Sequence, residues 1–326
     1  MAKLARAIVL APLLLCLAAQ AETARLQQAR QAVLSGSVDS AIALLHTELA
    51  ASPTGAAHLL LCRAYYEYDQ IDPALRECEA AVSANPHSSE FNLWMARTYG
   101  QKASHANPLS AMSLARKVHE SFEAAVAEDP NSQAAAQDLA EFYIAAPGLV
   151  GGGVEKARDL ANRIAPRLPV SAHRILGAAA AHQGDLGTAE RELQAAANIS
   201  HAAAEYIDLA AFYANHRQPD KALAAIRQSI AADAAKDASL VDAASLLTKL
   251  HQSPELAEQC LQQYLSSSHK SDEAPAFKVH LQLGQLLAQR GDTAGARREY
   301  QAALALASGY APAQKALQTL TSGGRS

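Results

Sequence analysis

Arg30, Arg63 and Arg97 follow one another at intervals of 33 and 34 residues. Each stands directly after a small residue, Ala29, Cys62 or Ala96, in a stretch with helical apolar spacing. If those stretches stack side by side, the guanidinium groups fall in a row. A planar guanidinium binds a carboxylate through two parallel hydrogen bonds, so the chemistry on offer is recognition rather than reaction. The same register logic extends the surface to Tyr66, Gln101 and Arg174, and the row stops at Glu141. The functional reading is a groove for an acidic segment or a terminal carboxylate. The alternative is a set of solvated arginines, or arginines paired with neighbours such as Glu67 and Glu141. On the functional reading, Arg63→Glu weakens partner capture and leaves the fold intact.

A second candidate is Gly151-Gly152-Gly153, which precedes a predicted helix whose free amides could hold an anion. No phosphate-loop or dinucleotide fingerprint accompanies it and no strand precedes it, so the competing reading is a packed, irregular turn. Of four cysteines, Cys62 and Cys78 sit on opposing helices of one predicted hairpin, each about two helical turns from its bend. They read equally as a disulfide or as two small buried residues. Cys260 is left over. No His/Cys spacing suggests a metal site and no cofactor motif is present. The twelve histidines are scattered, and isolated ones such as His58 and His173 read as surface or packing residues. Motifs for metalloprotease or serine-hydrolase chemistry are missing, so no residue reads as catalytic and the chain is not expected to be an enzyme.

At the start of the chain, residues 1–21 combine Lys3 and Arg6, an apolar run too short for a bilayer, and the small-x-small site Ala19-Gln20-Ala21. They read as a signal peptide cleaved after Ala21, which implies a periplasmic or secreted protein with no transmembrane segment in the mature chain. The formal charge of −4 grows more negative once Lys3 and Arg6 leave, which gives no footprint for nucleic acid. Aromatics are 5% and no run alternates in strand fashion, which argues for an all-helical chain.

The helices come in copies. Small sites recur at Ala29, Cys62, Ala96, Ala140, Gly177, Ala210, Ser245 and Gly284, and each second helix opens on Ala41, Ala74, Val118, Ala157, Ala189, Ala222, Ala257 or Ala296. Tyr65, Tyr99, Tyr143 and Tyr213 follow the first site by three, and Pro53, Pro86, Pro130 and Pro169 close units. This pattern resembles the tetratricopeptide repeat, a 34-residue helix-turn-helix. Glu48 and the unit around Ser245 depart from it. The insertion APGLVGGG before Val154-Glu155-Lys156-Ala157, with the stretched unit ahead of it, is similar to one exported bacterial subgroup of these repeats. The resemblance implies an all-α, right-handed superhelical solenoid of about eight antiparallel helix pairs over residues 22–321. A capping helix at 310–320 ends it, with a flexible tail at 322–326. Residues 101–108 are expected to lengthen a turn and the following helix. The polar stretch 266–275, SSSHKSDEAP, reads as a soft joint before the last unit.

The function implied is a non-enzymatic scaffold or adaptor that holds peptide segments or partner proteins in the concave groove. The alternatives are an envelope assembly factor or structural spacer, and a small-ligand binder using Gly151–Gly153.

Overall fold

The computed structural model describes residues 24–323. The signal segment read at 1–21 lies outside the described residues. Among the described residues, seventeen α-helices follow one another as hairpins: α1 (24–34) with α2 (Val38–Ala51), α3 (Gly55–Glu67) with α4 (Ile71–Ala84), and α5 (Ser89–Ser104) with α6 (Pro108–Glu128). Next come α7 (Gln133–Ala145) with α8 (Val154–Ile164), α9 (Pro169–His182) with α10 (Leu186–Ser200), and α11 (Ala203–Asn215) with α12 (Pro219–Ala232). The last are α13 (Ser239–Lys249) with α14 (Pro254–Ser266), α15 (Ala276–Gln289) with α16 (Thr293–Leu306), and the capping helix α17 (Ala311–Gly323). Each helix packs on its hairpin partner and on the next hairpin, and no strand occurs among the described residues. The architecture is a tetratricopeptide-like helical solenoid. Helix α17 runs two residues into the stretch read as tail.

Local chemistry explains the element ends. Thr54, Ser88, Asn107, Ser132, Asp185 and Asp292 each accept a backbone amide from the first turn they precede, which satisfies one of the donors a helix start leaves open. Pro169 starts α9 rather than closing the hairpin before it, since a proline at the first helical position gives up no bond. The small sites do what the spacing predicts: Ala29, Cys62, Ala96 and Ala210 are fully buried, as are Ala41, Ala74, Ala157 and Ala296 across from them. Ser245 does not. It is exposed, with its hydroxyl on the Val241 carbonyl, and the buried residue is Ala244, 34 residues beyond Ala210. The sequence register slips by one there because Ala243, Ala244 and Ser245 are all small. Glu48 is buried where a small residue is usual, and Arg25 satisfies it at 3.0 Å. The extra residues at 101–108 extend α5 to 16 residues and α6 to 21, leaving a short turn.

Two further clasps tie the hairpins. His58, His173 and His280 each sit four residues before a small site, and each meets a glutamate 19 residues on, Glu77, Glu192 or Glu299, at 2.7 Å. The hydroxyls of Tyr99, Tyr143 and Tyr213 donate to Glu79, Glu123 and Glu190 on the preceding second helix. These histidines are therefore hairpin fasteners at a repeated register, not isolated surface residues. Cys62 and Cys78 form a disulfide, with Cα atoms 5.3 Å apart, and Cys260 is buried and free.

The array closes on itself. One apolar core runs from Leu59 on α3 to Ile175 on α9. The other runs from Ala180 through α16 and continues into Ala29, Leu45 and Tyr68 of the first hairpins. At this seam Tyr68 packs on Phe277, Phe277 meets Tyr310 edge-on at 4.8 Å, and Lys278 pairs with Asp69 at 2.9 Å. The Gly309 amide donates to the Tyr68 hydroxyl and the Ser308 amide to Asp39. Gly36, at φ +72°, lies so close to α15 that a Cβ would come within 2.4 Å of the Ala276 nitrogen.

The stretch read as a soft joint is instead a pinned strap. The Tyr264 hydroxyl, on a fully buried side chain, donates to the Ala274 carbonyl at 2.7 Å and accepts from the Ser271 amide at 3.1 Å. Arg63 donates through Nε to Asp272 at 2.7 Å. Polar composition suggested looseness, but bonds from Tyr264 and Arg63 fix the stretch at Ser271, Asp272 and Ala274.

Candidate partner-binding interior

The first helices of successive hairpins line a concave interior, and Trp94 on α5 is its centre. Arg63 and Arg97 lie over its ring at 5.0 and 4.9 Å, and Tyr66 meets it edge-on at 5.5 Å. The row of the sequence reading is therefore partly assembled: Arg63, Tyr66 and Arg97 gather on one indole. Arg30 is exposed on α1 and Gln101 is half-buried on α5, and neither lines the interior clefts. Arg174 lines the next cleft along, between α7, α9 and α11.

Each interior arginine already has a carboxylate. Arg63 holds Asp272 of the strap and reaches Glu90 at 3.2 Å. Arg97 donates to Asp138 at 2.6 Å, and Arg174 is held by Asp208. Burial works against the charge of Arg97, but the Asp138 bond and charge outweigh it and hold the guanidinium above its ordinary value.

Carboxylates exceed these arginines. Glu141, Asp242 and Glu273 accept no hydrogen bond and form no ion pair among the described residues. All three open onto the interior, solvent-exposed but set among the neighbouring helices. Enclosure, then the charge of Asp138, raises Glu141, with Arg174 opposing. Enclosure, then Glu273, Asp208 and Asp237, pushes Asp242 up to about 6. Asp208 is raised too, by burial against the pull of Arg174.

The strap divides this space. On one side a cleft of about 590 Å³ is bounded by Tyr66, Trp94, Phe142 and Glu141 and by Asp272 and Glu273 of the strap. On the other a cleft of about 440 Å³ lies among Arg174, Asp208, Asp242 and again Glu273. Sequence reasoning missed Asp272 and Glu273 as interior groups, because nothing local to a polar ten-residue stretch says that it turns inward.

The glycine loop lies elsewhere and has no open cradle. Its three amides donate within the chain, Gly151 to Gly148, Gly152 to Pro147 and Gly153 to Tyr143, and Lys156 covers the Gly151 carbonyl. A Cβ on Gly152 would come within 1.8 Å of the Ala146 carbonyl oxygen. The tight turn is the reason for the glycines, and their own amides are spent within it. No group of three or more metal-ligating side chains forms among the described residues, and no helix there is long and apolar enough to cross a membrane.

The sequence matches no family model and no curated protein. Among solved structures it is similar to a thermophilic tetratricopeptide repeat protein of Thermus thermophilus, at 18% identity over 70% of this chain and 99% of that one, with a TM-score of 0.47. A tetratricopeptide repeat protein of Parabacteroides merdae aligns at 13% identity over 93% of this chain and 99% of that one, with a TM-score of 0.48. The human IFIT1 dimer with m7Gppp-AAAA aligns at 15% identity over 83% of this chain and 68% of that one, with a TM-score of 0.44.

Proposed function

We propose that this chain is a non-enzymatic interaction scaffold that holds a segment of a partner protein in its interior, against the Tyr66–Trp94–Arg97 wall. The observation that carries this is the imbalance of charge there. Arg63, Arg97 and Arg174 are matched by aspartates, while Glu141, Asp242 and Glu273 have no partner among the described residues. The segment that suits such an interior carries lysine or arginine side chains, which would relieve the mutual repulsion of these carboxylates. An acidic segment would have to displace an internal aspartate from each arginine first. A spacer role leaves these unmatched carboxylates without a purpose. At the small-ligand alternative, Gly151–Gly153, the glycines' own amides are spent inside the turn. The leader-like residues 1–21 and the Cys62–Cys78 bridge support action in the periplasm or outside the cell, where disulfides persist.

Trp94 is the only tryptophan in the chain, so its emission reports the site directly. Titration with a lysine-rich and with a glutamate-rich peptide is expected to perturb Trp94 fluorescence only for the first, and less so as salt rises. A response to the glutamate peptide alone, or to neither, overturns the reading.

A further inference from the structure

Where the last hairpin meets the first two, a carboxyl is buried with nothing to bond. Glu67 ends α3 at 2% exposure, and neither of its oxygens has a hydrogen-bond partner. Charged and titratable groups reach it from each element packed there. Arg63 lies one turn back on α3, Asp272 on the strap, Lys278 on α15, and the Tyr264 phenol on α14. Both cations are committed: Arg63 to Asp272 and Glu90, Lys278 to Asp69. An ionised Glu67 would therefore be a buried charge without a partner, beside the carboxylate of Asp272. Burial first, and Asp272 second, hold its proton well above the ordinary carboxylate value of 4.5, against the pull of Arg63 and Lys278.

We propose that the strap and the seam it locks form a pH-operated latch, closed while Glu67 is a neutral carboxyl and released when that carboxyl ionises. Ionisation adds a third carboxylate, beside Asp272 and Glu90, to one guanidinium, and the relief open to it is departure of the strap with α15 and α16, which lets water reach Glu67. The seam is the part of the molecule that can part without unfolding a hairpin. Its polar links among the described residues are few: the Arg63–Asp272 and Lys278–Asp69 pairs, and the Ser308 and Gly309 amides on Asp39 and Tyr68. The α3–α4 hairpin keeps its disulfide. The sign follows from linkage. The closed state holds the Glu67 proton to higher pH than the open state, so closure is fully favoured below 4.5 and weakens as pH rises towards the closed-state value. Release also merges the two clefts that the strap separates. That consequence for partner access rests on the interior-binding reading; the latch itself does not.

Amide hydrogen exchange, corrected for the intrinsic rate at each pH, reads the seam directly at Ser308 and Gly309. In the native chain their protection is expected to fall by up to roughly tenfold per pH unit above the ordinary carboxylate value, while amides inside α3 and α4 keep theirs. Glu67→Met, which keeps the length and loses the charge, is expected to stay protected across the range, with Glu67→Gln as the second variant if the first does not fold. The latch is refuted if Glu67→Met shows the same fall as the native chain. It is refuted equally if seam protection in the native chain stays flat until the hairpin amides exchange too. Titrating the lysine-rich peptide against Trp94 in the same samples keeps the two readings apart. Loss of peptide response with an intact pH profile at the seam overturns only the binding reading.

Discussion

Arg63→Met tests whether the strap is locked by a desolvated ion pair or merely rests on the surface. The Arg63 and Asp272 side chains are 10% and 9% exposed, so removing the guanidinium strands a carboxylate that water barely reaches. Breaking a buried pair from one side costs about 3–5 kcal/mol. The Glu90 partner, 52% exposed, adds less than about 1 kcal/mol, and the loss of the Trp94 contact about another 1 kcal/mol. Asp272 can recover hydration by leaving with the strap, which holds the total to the lower end, about 3 kcal/mol. Asp272→Asn alone strands Arg63 less severely, because Glu90 remains. In the double variant most of the penalty disappears, so the coupling energy from the cycle is expected to reach about 2 kcal/mol. Thermal melts of the four proteins, followed by far-ultraviolet circular dichroism and by Trp94 emission, supply the cycle. A coupling below about 0.5 kcal/mol would mean that the pair is screened like a surface pair, and the strap would then not be locked. The structure also revises the expectation for Arg63→Glu. A carboxylate at that position faces Asp272, Glu90 and Glu67 together, so the variant opens the seam rather than merely weakening capture in an intact array.

Gly152→Ala is expected to destabilise by about 3 kcal/mol, the upper range for overpacking, because its Cβ meets the Ala146 backbone. Gly100→Ala, within α5 with open space around it, gains about 0.5–1 kcal/mol from helix propensity. Denaturant midpoints moving the same way in both variants would contradict the packing described for the turn. Asp242→Asn probes the crowding of interior carboxylates. The native carboxyl is pushed up from 3.8 to about 6, so its ionisation costs stability as pH rises through that window, and nothing below it. The variant is expected to melt higher than the native chain at about pH 7 and equally at about pH 3. Equal melting at both pH values would show that the interior is as well solvated as an open surface.

Much of the architecture is legible because the hairpin is a local object. A small residue every 34 or so positions, a small partner opening the next helix and an aromatic three residues on are enough to specify close helix packing. The register failed at Ser245, where three small residues in a row left only burial to choose Ala244. The His–Glu clasps were legible in principle, since the same pair of types recurs at the same separation in three hairpins. The candidate site was legible only in part. Periodicity brought Arg63, Tyr66 and Arg97 to one face, but that they gather on Trp94, and what each arginine binds, depends on tertiary packing.

The sequence alone determined a chain of helix pairs and their close-packing residues, because those depend on contacts within one or two repeats. The tertiary structure decided that the array closes, that 267–275 crosses the interior, and that Glu67 is buried beside Asp272. Those features join residues about 200 positions apart. They arise from the accumulated rotation of successive hairpins, a geometric sum to which every repeat contributes and which no single stretch of sequence records.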